Sequence, residues 1–333
     1  MAERPRQSAS DPLCRYVDRL MRRLRRRIPA ALHDWDANAI HDVRVGARRL
    51  RAAMELLGPV LPAKRITPLR KTARRLRRRL GSLRDYDVMI DRLRVLSRRP
   101  RLADAGKWMS DRLLDARDKA RRKAKKKRSV ADLLDRLDAW KPLREQVAPI
   151  SPVVDAMMLA SLRSQWDAFA AKADSRAPAR LFVGQDDGGA TNPHELRIAG
   201  KMLRYTFEML DEAGHSLPPV VRRTFKRLQN ALGDWHDCVV LAECAMRMSL
   251  EESLAARDPA MEAKVLELVR FILRRGDRAL ARFAALWREF GGEIADVVDE
   301  LQSANAPKTG RDRGGLPETP SKAIDRPGAT SAA

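Results

Sequence analysis

The sequence predicts an all-α protein built as two pseudo-symmetric helical bundles. Apolar residues recur at intervals of three and four along most of the chain, which is the period of an amphipathic helix. Ala, Leu and Arg dominate these stretches, and no run of alternating β-branched residues indicates a strand. An internal repeat is the third observation, and it predicts two related bundles.

Each half of the chain contains five predicted helices. Those of the first half lie near residues 11–33, 38–57, 66–80, 82–98 and 104–139. Those of the second half lie near residues 151–173, 192–213, 219–231, 233–250 and 260–290. Proline and glycine separate the helices, and we expect Gly81 and Gly233 each to end one. Residues 303–333 lack apolar periodicity and are rich in Pro, Gly, Ser and Thr, so we expect a disordered tail.

The two halves also resemble each other in sequence. Placing His41 on His194 aligns HDVRVGARRLRAAMELL with HELRIAGKMLRYTFEML. Further along, LRRRLGSLRDYDV aligns with LQNALGDWHDCVV at nearly the same offset, so that Asp85 meets Asp237. We interpret this as an internal duplication of about 150 residues. The predicted domain is 10–302, with halves of about 10–150 and 151–302.

The charge of the chain predicts an anionic partner. Its 67 Lys and Arg against 44 Asp and Glu leave a net charge of +23, while 44% hydrophobic residues are normal for a globular protein. A field of one sign costs self-repulsion unless a partner neutralises it. Composition leaves nucleic acid, anionic lipid and a phosphate polymer as the classes of partner.

Other features restrict where the protein works. No stretch approaches about 20 consecutive apolar residues, so we expect no membrane span. The first residues include no apolar segment of the kind that a secretory signal needs. Cys14, Cys238 and Cys244 have no metal-binding spacing, and we expect free thiols in a reducing cytoplasm.

The repeat preserves a stripe of basic and protonatable residues. In the first half the stripe follows the spacing i, i+3, i+7, i+10, which keeps it on one side of a helix: His41, Arg44, Arg48 and Arg51. The second half repeats it as His194, Arg197, Lys201 and Arg204. A solvated helix face is the structural alternative. Because such a face should drift freely after duplication, the repetition favours a binding function.

The next helix of each half adds further cations. Arg70 and Arg74 lie one turn apart beside an apolar face, and their counterparts are Arg222 and Lys226. Arg84 corresponds to His236. The guanidinium group suits phosphate, because its fork of donors binds two oxygens at once and its charge does not titrate away.

The sequence offers binding residues but no evident catalytic motif. The histidines and their acidic neighbours could hold a metal, yet the adjacent cations would repel it and no H-x-x-x-H spacing occurs. Gly200-Lys201 looks like the end of a phosphate loop, but Met202 replaces its Ser or Thr. We therefore expect no metal, no cofactor and no catalysis, with a phosphohydrolase as the least favoured alternative.

Two basic runs lie outside the repeat. Nine of the twelve residues 117–128 are Lys or Arg, and five arginines lie between Arg22 and Arg27. Either run could attract any polyanion or be a solvated surface, and the sequence does not separate these roles.

The repeated element H-[DE]-x-R-x-x-x-[RK]-x-L-R, followed by L-G-x-x-[RH]-D, resembles the CHAD family, the conserved histidine α-helical domain. The likeness covers about residues 10–300. The family is known as two pseudo-symmetric helical bundles that bind inorganic polyphosphate through a basic central surface and associate with polyphosphate granules. The resemblance implies ten binding residues: His41, Arg44, Arg48, Arg51, Arg84, His194, Arg197, Lys201, Arg204 and His236. The helical-wheel pattern adds four: Arg70, Arg74, Arg222 and Lys226.

Polyphosphate also suits the composition, because it has no bases to stack and aromatic residues make up only 5% of the chain. Nonspecific nucleic acid is the alternative partner, since phosphate contacts dominate such binding. A polyphosphate-metabolising enzyme is a further candidate partner, and we expect a cytoplasmic protein, with polyphosphate granules as a candidate site. The repeat departs from symmetry where Met202 faces Arg49 and Gln229 faces Arg77, which leaves open whether the halves bind equally.

Overall fold

A computed structural model describes residues 12–125, 129–174 and 192–304. These residues form helices and connections without a strand, which confirms the all-α prediction. The α-helices are α1 (Pro12–Pro29), α2 (Ala37–Leu56), α3 (Ala63–Leu96), α4 (Pro100–Lys125), α5 (Val130–Asp135), α6 (Trp140–Val147), α7 (Ser151–Asp174), α8 (Pro193–Glu212), α9 (Pro219–Glu251), α10 (Leu254–Arg257) and α11 (Pro259–Ser303). A π-helical turn follows α1, and 3₁₀ turns flank α6.

The prediction that Gly81 and Gly233 end helices is wrong. Helix α3 continues through Gly81 and helix α9 through Gly233. A glycine inside a helix costs about 1 kcal/mol relative to alanine. Burial of Leu80 and Leu83, which are both fully buried beside Gly81, outweighs that cost, since each buried leucine contributes about 1.5–3 kcal/mol.

Two other predicted boundaries also differ from the structure. The helix predicted over 104–139 is interrupted, because α4 ends at Lys125 and α5 starts at Val130. The last predicted helix extends beyond residue 290, so that α11 reaches Ser303. From residue 305 on, the predicted tail lies outside the described residues.

Side-chain caps fix the starts of the two helices that carry the basic stripes. Asp36 accepts a hydrogen bond from the Ala39 backbone N–H (2.6 Å) before α2, and Asn192 accepts one from that of His194 (2.9 Å) before α8. Both helices have 20 residues. His194 lies in the first turn of α8, whereas His41 lies one turn inside α2.

The helices pack reciprocally across the two halves. Helix α1 packs on α2 and α8, while α7 packs on α8 and α2; α3 contacts α9, and α4 contacts α11. This is the pattern that a twofold relation between the halves predicts, and the internal duplication itself stays a prediction.

The buried residues form two cores. The larger runs through both halves, from α1, α2 and α3 to α7, α8, α9 and α11. The smaller lies between α4, the ends of α3 and α9, and the start of α11. Cys14, Cys238 and Cys244 are buried and free of disulfides. Within the described residues, we find no helix whose length and hydropathy would allow it to cross a membrane.

Candidate functional site

Helices α2, α3, α8 and α9 bring basic residues of both halves into one electrostatic neighbourhood. The Arg48 guanidinium acts across the boundary between the halves, on Arg197 and on Lys201. We call this set the central cluster: His41, Arg44, Arg48, Arg51, Arg77, Arg84, His194, Arg197, Lys201, Arg204 and His236. It contains all ten binding residues that the family resemblance implies.

Two first-half cations of the cluster, Arg44 and Arg51, are hydrogen-bonded within the protein. Arg44, whose side chain is only 13% exposed, donates to the Arg77 carbonyl (3.3 Å) and to Asp85 (3.3 Å). Gly81 leaves room for this guanidinium, because a Cβ atom there would lie 3.2 Å from Arg44 Nη1. Arg51 donates to Glu55 at 2.6 Å, one turn further along α2.

The cations of α8 have fewer partners. Arg197 and Lys201 make no hydrogen bond or ion pair with the described residues, and the buried Nε of Arg197 has no acceptor. Arg204 Nε lies 3.6 Å from Glu208, which is an ion-pair distance but too long for a hydrogen bond. Both oxygens of Glu208 accept hydrogen bonds from Arg49 (2.6 and 2.8 Å). The α8 cations therefore retain unused donors.

Burial and mutual repulsion shift several pKa values in the cluster. Burial, with the charges of Arg197, Arg48 and Arg204, lowers the pKa of Lys201 to about 7. Burial and the charge of Arg197 lower the pKa of His236 to about 4. Burial and the charge of Arg84 likewise lower the pKa of His41. Around neutral pH, arginines carry most of the positive charge of the cluster.

Two carboxylates lie among these cations. Asp85 accepts from Arg44, and burial raises its pKa while Arg44 opposes the shift. Asp237 accepts from Arg92 at 2.8 Å, and the same Arg92 atom donates to Asp234 at 3.0 Å. In the described part of the chain, His, Cys, Asp and Glu do not form a group of three or more that could hold a metal.

The four binding residues that the helical-wheel pattern predicts lie on the exposed sides of α3 and α9. Arg70 donates to the Met54 carbonyl in the last turn of α2 (2.9 Å). Arg222 pairs with Asp211 in the last turn of α8 (2.9 Å). Arg74 and Lys226 are exposed. Arg70 and Arg222 thus tie α3 and α9 to the preceding helices, and their part in an anion site stays a prediction.

The predicted binding residues leave out Arg77, and no sequence pattern indicated a role for Arg49. Arg77 belongs to the cluster, but its counterpart is Gln229, so a search for repeated cations passes over it. Arg49 joins the halves through Glu208, a residue 159 positions away. No local pattern points to that pair.

Two clefts flank the contact between α3 and α9. One, of about 450 Å³, is lined by Asp85, Tyr86, Cys244 and Arg247 among others. The other, of about 430 Å³, is lined by Arg84, Arg92, Asp237 and Arg275 among others. Arg84 and the two aspartates connect both clefts to the central cluster.

The basic runs outside the cluster are only partly described. The exposed cations of the 117–128 run on α4 are Lys119, Arg121, Arg122, Lys123 and Lys125, while 126–128 lie outside the described residues. On α1 they are Arg22, Arg23, Arg26 and Arg27, of which Arg27 pairs with Asp42 at 2.9 Å.

Comparison with known proteins places the chain among helical domains of one family. The family model of the CHAD domain matches residues 15–246. The crystal structure of the CHAD domain from the plant Ricinus communis is similar with a TM-score of 0.54 and 20% identity, over 92% of this chain and 96% of that one. PptA from Streptomyces chartreusis is similar with a TM-score of 0.55 and 19% identity, over 84% of this chain and 99% of that one. No curated protein matches the sequence. At these identities the two structures show the fold alone.

Proposed function

Since this chain belongs to the CHAD domain family, we propose that it binds inorganic polyphosphate at the central cluster and catalyses no reaction on it. The observation that carries the proposal is the convergence of cations from both halves, with Arg48 of α2 acting electrostatically on Arg197 and Lys201 of α8. A polyanion lying between α2 and α8 would relieve the repulsion that these groups exert on one another.

The cluster suits a phosphate chain better than a nucleic acid. Proteins that bind single strands stack bases on aromatic side chains. The aromatic residues nearest the α8 stripe are buried, since Tyr205 is 3% and Phe207 6% exposed. Arginines without exposed aromatic neighbours offer phosphate contacts and no surface for bases.

The carboxylates of the cluster do not favour catalysis. Asp85 and Asp237 are each held by an arginine, so neither is free to activate a nucleophile. Among the described cluster residues we find no hydroxyl or thiol hydrogen-bonded to a base. We therefore assign the site to binding, with a phosphohydrolase as the less favoured function.

The proposal also covers the location of the protein in the cell and its protein partner. A polyphosphate-binding protein of this charge belongs in the cytoplasm, where polyphosphate granules would recruit it. A polyphosphate-metabolising enzyme is the protein partner that such recruitment favours.

Competition between polyphosphate and DNA tests the proposed function. Labelled polyphosphate is bound to the full chain and displaced by unlabelled polyphosphate or duplex DNA at equal phosphate concentration. We expect polyphosphate to displace the label at a concentration at least about tenfold lower, because its flexible chain reaches cations that a duplex cannot. Equal displacement by DNA would favour the nucleic-acid alternative.

A further inference from the structure

We propose that the two halves hold polyphosphate unequally, and that α8 provides the anchor: Arg197, Lys201 and Arg204 bind a short run of phosphate groups. The equivalent residues of α2 together add less, because two of them, Arg44 and Arg51, are already hydrogen-bonded within the protein. The inference rests on the proposed function and specifies which part of the cluster dominates it.

The first argument is the state of the donors on α8. The side chains of Arg197 and Arg204 are only partly buried, and neither guanidinium makes a hydrogen bond with the described residues. A guanidinium carries five N–H donors and no acceptor. The ligand that uses the exposed donors of both groups is therefore rich in acceptor oxygens. A phosphate chain meets that requirement.

The second argument is that two of the three equivalent groups on α2 are already occupied. Arg44, the counterpart of Arg197, donates to Asp85 and to the Arg77 carbonyl. Arg51, the counterpart of Arg204, donates to Glu55. A phosphate that binds Arg44 or Arg51 must compete with these carboxylates, whereas on α8 it displaces at most the 3.6 Å contact of Arg204 with Glu208.

One position at which the two repeats have different residues explains why Arg44 is hydrogen-bonded and Arg197 is not. Asp237 corresponds to Asp85, yet it is held by Arg92 and leaves Arg197 without a hydrogen bond. At the same offset, the residue that corresponds to Arg92 is Cys244, a buried thiol. The second half has no arginine at that position to hold Asp85, which accepts from Arg44 instead.

The geometry of α8 suits a short run of phosphates. Arg197, Lys201 and Arg204 follow steps of four and three, so they lie on one side of the helix. Seven residues of helix span about 10.5 Å. The Arg204 guanidinium lies 5.1 Å from the Tyr205 ring centroid, which limits where it can point.

Matched substitutions at equivalent positions test the anchor. We expect Arg197→Gln to weaken polyphosphate binding about tenfold, because glutamine removes the positive charge and the charge-assisted hydrogen bond that a guanidinium makes with phosphate. Arg44→Gln should weaken it only about twofold to threefold, because Arg44 already donates to Asp85 and to the Arg77 carbonyl and so has fewer donors to give a phosphate. Circular dichroism and a urea midpoint for each variant identify any loss of folding. Equal losses of affinity, or a larger loss for Arg44→Gln, would contradict the proposal that α8 is the anchor. The proposed function would remain.

A second pair of variants tests the cause of the asymmetry without removing a cation. Asp85→Asn should free Arg44 and tighten binding more than Asp237→Asn, although both remove one negative charge. Asp85→Asn should also recover part of the affinity lost in Arg197→Gln. If the two substitutions tighten binding equally, the occupancy of Arg44 does not limit the first half and the inference fails. If the unaltered chain does not bind polyphosphate at all, the proposed function fails with it.

Discussion

Lys201 differs in kind from the arginines around it. Its ammonium lies near Arg197, Arg48 and Arg204, the opposing charge of Asp237 is a smaller influence, and no carboxylate pairs with it in the described structure. Its pKa of about 7 means that a fraction of the side chain is neutral under physiological conditions. An arginine at this position would remain charged. Lys201 therefore makes the charge of the cluster depend on pH.

Binding of polyphosphate should protonate Lys201. A polyanion raises the lowered pKa, so binding between pH 7 and 9 takes up protons, and affinity falls as pH rises through that window. His41 and His236, whose pKa values are lowered below 6.5, contribute only under more acidic conditions. Isothermal titration in two buffers of different ionisation enthalpy counts the protons.

Substitution of the lysine supplies the control. Lys201→Arg should keep the affinity and remove the proton uptake at pH 8, whereas Lys201→Gln should lower the affinity and also remove the uptake. Undiminished uptake in Lys201→Gln would assign the proton to another group.

For single residues, the sequence predicted which side chains belong to the central cluster better than it predicted their hydrogen bonds. The repeat selected every residue of the central cluster except Arg77, because equivalent positions of two similar halves meet where the halves pack. It did not predict which cations are already hydrogen-bonded, since Asp85 and Glu208 reach their arginines from other helices.

Helices α3 and α9 show why glycine misled the prediction of helix ends. The rule that glycine breaks helices is local, whereas the packing of a 34-residue and a 33-residue helix is not. Glycines at different positions also have different surroundings. A Cβ at Gly233 would contact nothing within 4 Å, whereas one at Gly200 would lie 2.9 Å from Phe169 and against the amide of Gln229.

These surroundings predict opposite effects of the same substitution. Gly233→Ala should stabilise the protein by about 0.5–1 kcal/mol, because alanine restricts the unfolded chain and fits the helix without contact. Gly200→Ala should destabilise it by about 1–3 kcal/mol, because Phe169 is fully buried and cannot move freely. Urea unfolding measures both. Destabilisation by Gly233→Ala would contradict the open space that the structure shows beside this residue.

The two halves of the molecule are joined by both hydrophobic cores and by ion pairs between residues of different halves. Arg49 with Glu208 and Arg92 with Asp234 and Asp237 each link one half to the other. The sequence predicted helices and a repeat, since both depend on spacing along the chain. It did not predict these pairs or the shared larger core, because they depend on how the halves dock. The cations left over after such pairing are the ones available to a ligand.

The salt dependence of binding measures how many of those cations act together. If the central cluster neutralises several phosphates at once, the logarithm of the affinity should fall linearly with the logarithm of salt concentration, by about 0.7 per neutralised phosphate on the scale of single strands. Arg48→Gln should lower that slope by about one such step. Lys125→Gln on the exposed end of α4 removes the same charge and serves as the control, and it should leave the slope unchanged. A slope that responds to Lys125 and not to Arg48 would move the binding surface to the α4 run. Because both variants change the net charge of +23 by one, any difference between them reports position and not total charge.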